Sequence, residues 1–385
     1  MKKILLLSLM YPRSDNPILG IFVEKQAIAL AQHAQVGVLV PVPIRSHVKF
    51  GDVIENGFPV WRRPFLSYPG DFLRPVKTLS IAITCLLALC KIYRDFPFDI
   101  IHAHGAAIAG VIGIMLGRAY NKPCIITIHG ADTTPSEIRR RDVRRILLFS
   151  LHNADHVITV SNKLRQEVIN LGIRPSSVTV IPNGVDFSVF KHSQNYPIGT
   201  IEKPPETKLI ITVANLNKSK GHAPVLDSLA QVIRRRPDWK MRYIIIGTGS
   251  YEMVLRAKVK ELGLADVVCF QGYVPNEQLA TYYQAADLFV LPSWSEGFGI
   301  VYLESLAMGT PVIACQGQGP TDFVIDGVTG YLVPPRNVLA LTDTIERALQ
   351  IHWDSQRLIA NAQQYTWDIV VKKLCQLYGR YISPV

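Results

Sequence analysis

Two glutamates, Glu296 and Glu304, lie eight positions apart in a glycine-marked segment of the second half of the chain. The apolar run 287–291 predicts a buried strand, residues 292–299 a loop, and residues 300–308 a helix. This places Glu296 in the loop and Glu304 one turn into the helix. The free N–H groups at the start of that helix, together with the positive end of its dipole, favour an anion. The spacing therefore predicts a site for a phosphate with hydroxyl groups on either side.

Two lysines follow the first strand predicted in the second half. Lys218 and Lys220 precede Gly221, where a helix is expected to begin, and Asn215 lies a few positions before them. A lysine at this place would stabilise the negative charge that develops on a departing diphosphate. An exposed loop lysine without such a role is the alternative.

Histidines mark two predicted strand ends in the first half. His129 follows the apolar run 124–128, so it is expected at the carboxyl end of a strand, where open α/β sheets place ligands. A core or capping histidine is the alternative. His102 and His104 alternate at the end of another predicted strand. Because no Asp-x-Asp motif and no third ligand at suitable spacing accompany them, we expect structural or acceptor-side roles and no metal site.

Three glycines are candidates for backbone contact with a phosphate. Gly247 and Gly249 end a predicted strand, but a dinucleotide site would need a third glycine where this chain has Glu252. Gly20 precedes a predicted helix and would approach a phosphate or an acceptor. A plain loop position is the alternative for Gly20.

The composition describes a folded protein with a basic first half. The chain has 385 residues, of which 48% are hydrophobic and 18% charged, and its formal net charge is +11. Residues 1–190 hold 22 Lys and Arg against 13 Asp and Glu. This length predicts two domains with a cleft between them. The basic half favours an anionic partner such as a phospholipid surface, a diphosphate-linked acceptor or nucleic acid.

The cysteines and apolar segments predict a cytoplasmic protein. The six cysteines form no Cys-x-x-Cys pair, as expected of buried thiols in a reducing compartment. The apolar residues 4–9 are expected to form a buried strand and not a signal peptide. The longest apolar helix candidate, residues 79–90, falls well short of the roughly 20 residues that span a bilayer. We therefore expect a cytoplasmic protein that can rest on the inner face of the plasma membrane.

Short apolar runs alternate with helical patterns, which is typical of βα units and doubly wound parallel sheets. Strands are predicted at residues 4–9, 36–40, 100–103, 124–128, 156–160, 178–181, 209–213, 243–246, 267–270, 288–291 and 312–314. The aperiodic segment 187–207 is a candidate linker, and residues 365–385 contain a C-terminal helix. The expected fold class is α/β, with domains at residues 1–186 and 208–364.

Several motifs resemble those of the retaining nucleotide-sugar glycosyltransferases of family 4. The segment from Glu296 to Glu304 resembles their Glu-x7-Glu signature, and residues 127–132 resemble their Thr-x-His-Gly-x-Asp motif. Residues 271–275 resemble the segment whose backbone meets the nucleotide base, and residues 181–186 resemble the hinge. The start of the chain is similar to members that build bacterial surface polysaccharides, including the teichuronic acid group.

The resemblance implies a GT-B fold, in which one Rossmann-like domain binds the acceptor, a second binds the nucleotide sugar, and a C-terminal helix crosses back onto the first. A C-terminal helix that caps the second domain is the alternative. It implies that Glu296 contacts hydroxyls of the donor sugar, that Glu304 contacts the ribose, and that His129 hydrogen-bonds the sugar. The further donor-side positions are Gly20, Asn215, Lys218, Gly247, Gly249, Tyr273, Val274, Phe298, Gly299 and Ile300. The acceptor-side positions are Asp132 and His104.

Lys220 is the residue expected to stabilise the departing diphosphate. The family pattern has an arginine where this chain has Asn215, and Lys218 is the candidate for the missing charge. The implied reaction is metal-independent, uses no cofactor and retains configuration, moving a sugar from a nucleotide-sugar donor (UDP favoured) to a glycan or lipid-diphosphate-linked acceptor. A GT-B sugar-nucleotide epimerase is the alternative enzyme. A basic membrane or nucleic-acid adaptor would leave both glutamates unexplained, and no nucleic-acid partner is expected.

A cluster of arginines precedes the apolar run 146–149 in a predicted helix. Its members are Arg139, Arg140, Arg141, Arg144 and Arg145. They give the helix a basic face and an apolar end. A solvated face is one interpretation. The other is a face that binds anionic lipid headgroups or a lipid diphosphate.

Overall fold

The protein, seen in a computed structural model, consists of two compact units. The structure describes residues 1–46, 48–66, 74–131, 133–134, 138–191, 201 and 203–382. The first unit comprises Met1–Gly184 and Trp367–Val385, and the second comprises Val185–Thr366. The segment predicted as a linker, residues 187–207, falls in the second unit, and its residues 192–200 and 202 lie outside the described residues.

The first unit is built on a sheet in the order β3-β4-β2-β1-β5-β6-β7-β8. Its strands are β1 (Lys3–Ser8), β2 (Gln35–Pro43), β3 (Gly51–Glu55), β4 (Phe58–Phe65), β5 (Ile100–His104), β6 (Cys124–Ile128), β7 (His156–Thr159) and β8 (Val178–Val180). All neighbours run parallel except β3 and β4. The hairpin β3–β4 was not predicted, although its turn, Asn56-Gly57, has positive φ at both residues and is a hairpin signal.

Helices cover both faces of this sheet. They are α1 (Ile21–Ala31), α2 (Arg74–Asp95), α3 (Ile108–Tyr120), α4 (Arg141–Asn153), α5 (Asn162–Asn170) and the C-terminal α12 (Trp367–Tyr378). Helix α12 packs against α1 and contributes Trp367 and Leu374 to the core of the first unit. The prediction of a C-terminal helix that returns to the first domain is therefore confirmed. Helices α2, α3 and α4 pack side by side in another layer.

Helix α2 differs from its prediction. The apolar helix expected over residues 79–90 spans 22 residues, Arg74–Asp95. Among the described residues, its portion Val76–Asp95 is long and apolar enough to cross a membrane by length and composition, and 28% of that stretch is buried. The prediction was wrong because polar residues at both ends of the helix, such as Lys77 and Lys91, interrupt the apolar run without ending the helix.

The second unit has a parallel sheet in the order β11-β10-β9-β12-β13-β14. Its strands are β9 (Thr207–Val213), β10 (Lys240–Ile246), β11 (Val268–Gly272), β12 (Leu288–Val290), β13 (Val312–Cys315) and β14 (Gly330–Val333), the last of which was not predicted. Its helices are α6 (His222–Arg235), α7 (Glu252–Glu261), α8 (Asn276–Ala285), α9 (Ile300–Ala307), α10 (Val338–Gln350) and α11 (Ser355–Gln363).

Each sheet has a point where the strand order reverses. In the second unit the chain passes from β9 outward through β10 to β11 and then returns to the other side of β9 with β12. In the first unit the corresponding point lies between β1 and β5. Open α/β sheets bind ligands beyond the carboxyl ends of the strands at such a point. The candidate residues follow β9, β12, β5 and β6, so the topology brings them to these two places.

Candidate active site

Two loops of the second unit are held together at its switch point, by which we mean the place beside β9 where the strand order reverses. The backbone N–H of Trp294, after β12, donates to the carbonyl oxygen of Ser219, after β9, at 3.1 Å. The hydroxyl of Ser293 donates to the same oxygen at 3.3 Å. These bonds fix the position of the Lys218–Lys220 turn relative to the loop that carries Glu296.

Lys220 and Glu296 form an ion pair at this junction. Lys220 Nζ lies 2.8 Å from Glu296 Oε2, and the side chains are 21% and 13% exposed. The backbone N–H of Glu296 donates to Oε1 of Gln318, in the loop after β13, at 3.0 Å. Two residues that the sequence marked separately thus lie together, with charges that a ligand can reach.

Glu304 is buried in α9 and bonded to a tyrosine. The Tyr283 hydroxyl donates to Glu304 Oε2 at 2.9 Å. Burial raises the pKa of Glu304 to about 7, although the hydrogen bond from Tyr283 acts in the opposite direction. Near neutral pH the carboxyl group is therefore poised between its two protonation states, and donors supplied by ligand hydroxyls would favour the ionised one.

The start of α9 is shaped by a glycine and an aromatic anchor. Gly299 has φ +87°, and a Cβ there would lie 2.6 Å from the Tyr302 ring. Phe298 is buried and packs its ring 5.2 Å from that of Phe323. The Phe298 side chain therefore secures the loop, and Ile300 begins the helix.

The glycines after β10 are required by close backbone packing. A Cβ at Gly247 would lie 2.0 Å from the carbonyl oxygen of Ala214, and one at Gly249 would lie 2.3 Å from that of Leu216. This seats the loop after β10 against the loop after β9. After β11, Tyr273 is exposed and Val274 is buried.

The remaining polar candidates of the second unit face solvent. Asn215 and Lys218 are exposed. Asn217 caps the short turn by accepting a hydrogen bond from the backbone N–H of Ser219 at 3.1 Å. Of the two lysines, Lys220 is therefore the one that the fold directs to Glu296.

The first unit brings three histidines together beyond β5 and β6. His104 Nδ1 lies 3.0 Å from His129 Nε2. His102 Nδ1 and Nε2 lie 2.6 Å from the hydroxyls of Tyr378 and Thr127. Burial lowers the pKa of His104 to about 3 and lowers those of His102 and His129 well below the usual value, so all three rings are neutral.

The individual candidates of the first unit have different surroundings. His102 joins β5 to α12 and has a structural role. Nδ1 of His129 is buried and has no hydrogen-bond partner among the described residues. Gly20 precedes α1 with its Cα against the backbone of Met10. Asp132 lies outside the described residues.

The arginine cluster lies at the start of α4. Arg139, Arg141, Arg144 and Arg145 are exposed. Arg140 pairs with Asp142 at 3.4 Å. Across the described part of the chain, no group of three or more His, Cys, Asp or Glu side chains has the arrangement of a metal site.

Comparison with known proteins decides the family. The model of "Glycosyl transferases group 1" matches residues 198–365, and that of "Glycosyltransferase Family 4" matches residues 22–189. A D-inositol 3-phosphate glycosyltransferase of Corynebacterium diphtheriae is 30% identical over 306 residues, which are 73% of this chain and 70% of that protein. The chain belongs to the family 4 glycosyltransferases.

A further relative and two solved structures agree with this family and its fold. The putative teichuronic acid biosynthesis glycosyltransferase TuaC of Bacillus subtilis is 28% identical over 362 residues, covering 90% of this chain and 88% of that one. Sucrose-phosphate synthase of Thermosynechococcus elongatus superposes with a TM-score of 0.82 at 23% identity, over 99% of each chain. Anabaena HepE, solved with UDP and glucose, has a TM-score of 0.76 at 21% identity over 99% of this chain and 100% of that chain. The predicted GT-B fold is confirmed.

Two residues of the candidate site were not predicted. Tyr283, the partner of Glu304, lies in α8 in a pattern that predicts only a helix. Gln318, the partner of Glu296, lies in the sequence Gln316-Gly317-Gln318-Gly319-Pro320 after β13. That segment does carry a signal, because it is a glycine-rich turn at the carboxyl end of a strand.

Proposed function

We propose that this glycosyltransferase moves a sugar from a nucleoside diphosphate sugar to a glycan or lipid-diphosphate-linked acceptor, with retention of configuration and without a metal. The observation that supports it most is the Lys220–Glu296 ion pair beside Gly299 at the start of α9, with the buried Glu304 one turn into the same helix. One cation, one helix N terminus and two carboxylates match a diphosphate flanked by a sugar and a ribose.

The first step is an exchange of ion-pair partners. The donor diphosphate competes with the Glu296 carboxylate for the Lys220 ammonium group. Once Lys220 binds the diphosphate, Glu296 is free to accept hydrogen bonds from hydroxyls of the donor sugar. The ion pair of the free protein thereby keeps both groups in position before the donor binds.

The second step is departure of the nucleoside diphosphate. The negative charge that builds up on it is stabilised by Lys220 and by the N–H groups at the start of α9. These groups perform the task for which other transferases use a metal ion. The acceptor hydroxyl then attacks the face from which the diphosphate leaves and gives its proton to an oxygen of the departing diphosphate, so the configuration is retained. His129, neutral at working pH, is proposed to hydrogen-bond the donor sugar.

The choice of donor and acceptor classes rests on the relatives. HepE of Anabaena was solved with UDP and with UDP-glucose, which favours UDP here. The name of TuaC favours a surface-polysaccharide acceptor. The cysteines are free thiols, which fits a reducing compartment, and we propose a cytoplasmic location.

A thermal-shift panel of UDP, GDP and ADP tests donor binding, because a ligand that binds only the folded state raises the Tm. We expect UDP to give the largest shift, and Glu304→Ala to reduce it. Incubation of a UDP-sugar with an acceptor, followed by determination of the anomeric configuration of the product, tests retention. A protein that converts the donor sugar into its epimer with no acceptor present contradicts the proposal.

A further inference from the structure

Helix α2 presents an apolar stripe to solvent. Val76, Leu79, Ile83 and Leu87 recur at intervals of three and four residues, so they share one face of the helix. All four are exposed, Leu79 to 60% and Leu87 to 76%. The stripe runs for about 17 Å along the helix axis. Exposed apolar side chains in a continuous line mark an interaction surface, whereas scattered ones do not.

The opposite face of α2 is part of the core of the first unit. Ile81, Cys85, Leu89 and Ile92 are fully buried, and the helix packs on β2 and β4. Although α2 has the length and composition of a membrane span, it cannot cross a bilayer while this face covers the sheet. The folded unit allows α2 only to lie along a surface.

The neighbouring helices extend this surface. Helix α3 packs beside α2, and α4 packs beside α3. Each exposes one large apolar side chain, Met115 on α3 and Phe149 on α4. They also expose arginines: Arg118 on α3, and Arg141, Arg144 and Arg145 on α4. We call this layer of three helices the α2–α4 face.

The charge of the α2–α4 face is unbalanced. Among the described residues, no carboxylate lies within ion-pair distance of Arg141, Arg144 or Arg145. At the end of α2, by contrast, Lys91 pairs with Asp52 and Arg94 with Asp95. The uncompensated charge therefore lies on α4, in the same helical layer as the apolar stripe but with α3 between them.

We propose that the α2–α4 face docks the enzyme on an anionic phospholipid bilayer. The stripe of α2 enters the boundary between headgroups and acyl chains, and the α4 arginines bind lipid phosphates. A helical layer that exposes both an apolar line and unpaired cations is complementary to an anionic membrane, because the membrane surface offers both a hydrocarbon layer and negative charge. This inference does not depend on the sugar-transfer proposal.

Sedimentation with lipid vesicles tests the stripe. The full chain is mixed with vesicles of phosphatidylcholine alone or with added phosphatidylglycerol. We expect binding to the anionic vesicles, and we expect the triple variant Leu79→Gln, Ile83→Gln, Leu87→Gln to weaken it by about tenfold or more. The matched control is Met253→Gln, Val254→Gln, Leu339→Gln, which removes three exposed apolar side chains from the second unit. It should bind like the parent.

A second variant tests the charge. Replacing Arg141, Arg144 and Arg145 by Gln should weaken binding to anionic vesicles by about tenfold or more and remove its salt dependence. Because every substituted residue is exposed, we expect all variants to keep the unfolding temperature of the parent in the absence of lipid, and this measurement is the control for folding.

Three results would overturn the proposal. The first is a stripe variant that sediments like the parent, and the second is equal binding to neutral and anionic vesicles. The third is a parent that is dimeric by light scattering, becomes monomeric with the stripe variant and binds no vesicles. In that case a second copy of the chain covers the stripe.

Discussion

The two units place their candidate groups in opposite electrostatic states. At the switch point of the second unit, Lys220 and Glu296 are charged and paired, and Glu304 is poised near neutral pH. At that of the first unit, His104 and His129 are bonded to each other and neutral. Charge in the second unit suits a diphosphate, whereas neutral imidazoles suit sugar hydroxyls. This difference is what our proposal uses, in which the second unit supplies electrostatic stabilisation and the first supplies hydrogen bonds.

The largest expected effect comes from removing the cation of the second unit. Lys220→Ala should lower kcat by roughly a hundredfold or more, the loss expected for one pre-organised charge-stabilising group. Its effect on donor affinity should be smaller, because the charge develops in the transition state. Lys218→Ala, the matched control with an exposed side chain, should cost less. Steady-state kinetics at saturating donor measure both. Loss of kcat in Lys218→Ala alone would assign the role to Lys218.

A smaller effect is expected on stability when Glu304 becomes Gln. The folded-state pKa of about 7 lies above the ordinary value of 4.5, so the protonated form stabilises the protein below about pH 4.5. That stability is lost as the pH rises through 7. Glutamine keeps an acceptor for Tyr283 and cannot ionise. We expect nearly equal Tm values for variant and parent at about pH 4, and a Tm several degrees higher for Glu304→Gln at about pH 8.

A variant that is no more stable than the parent at the higher pH would contradict the burial argument for Glu304. The second unit would then have no carboxyl group with a pKa near neutral pH at Glu304. The Lys220–Glu296 pair would still distinguish the second unit from the first.

The smallest effect is expected in the first unit. The pKa of His104 is lowered from 6.5 to about 3, so its contribution to stability is present above about pH 6.5 and is lost as the pH falls towards 3. The free energy of unfolding of the parent should therefore decrease between about pH 7 and pH 5. In His104→Gln the free energy of unfolding should depend less steeply on pH, by the equivalent of about one proton. Urea unfolding at several pH values measures it, and an unchanged slope would mean that His104 binds its proton in the folded protein as it does in the unfolded chain.

Much of the fold could be predicted because strands buried on both faces appear as short apolar runs. The hairpin β3–β4 was not predicted because residues of β3 are mostly exposed. The full length of α2 was not predicted because lysines near its ends interrupt the apolar run. Lys220, Glu296 and Glu304 were candidates from the sequence because they lie in loops after strands or one turn into the helix that follows. Their partners could not: Tyr283 and Gln318 are brought to the glutamates by packing between elements, which local patterns do not record.

Calorimetric titration with UDP tests most directly whether the second unit binds the nucleotide through Glu304. Hydrogen bonds from ribose hydroxyls favour the ionised carboxylate, so UDP binding at about pH 7 should release roughly half a proton from this group. The count comes from titrations in buffers with different ionisation enthalpies. We predict that Glu304→Gln lacks this release and that Glu304→Ala binds UDP more weakly by about 1.5 to 3 kcal/mol. Equal affinity and equal proton release in parent and variants would contradict the account.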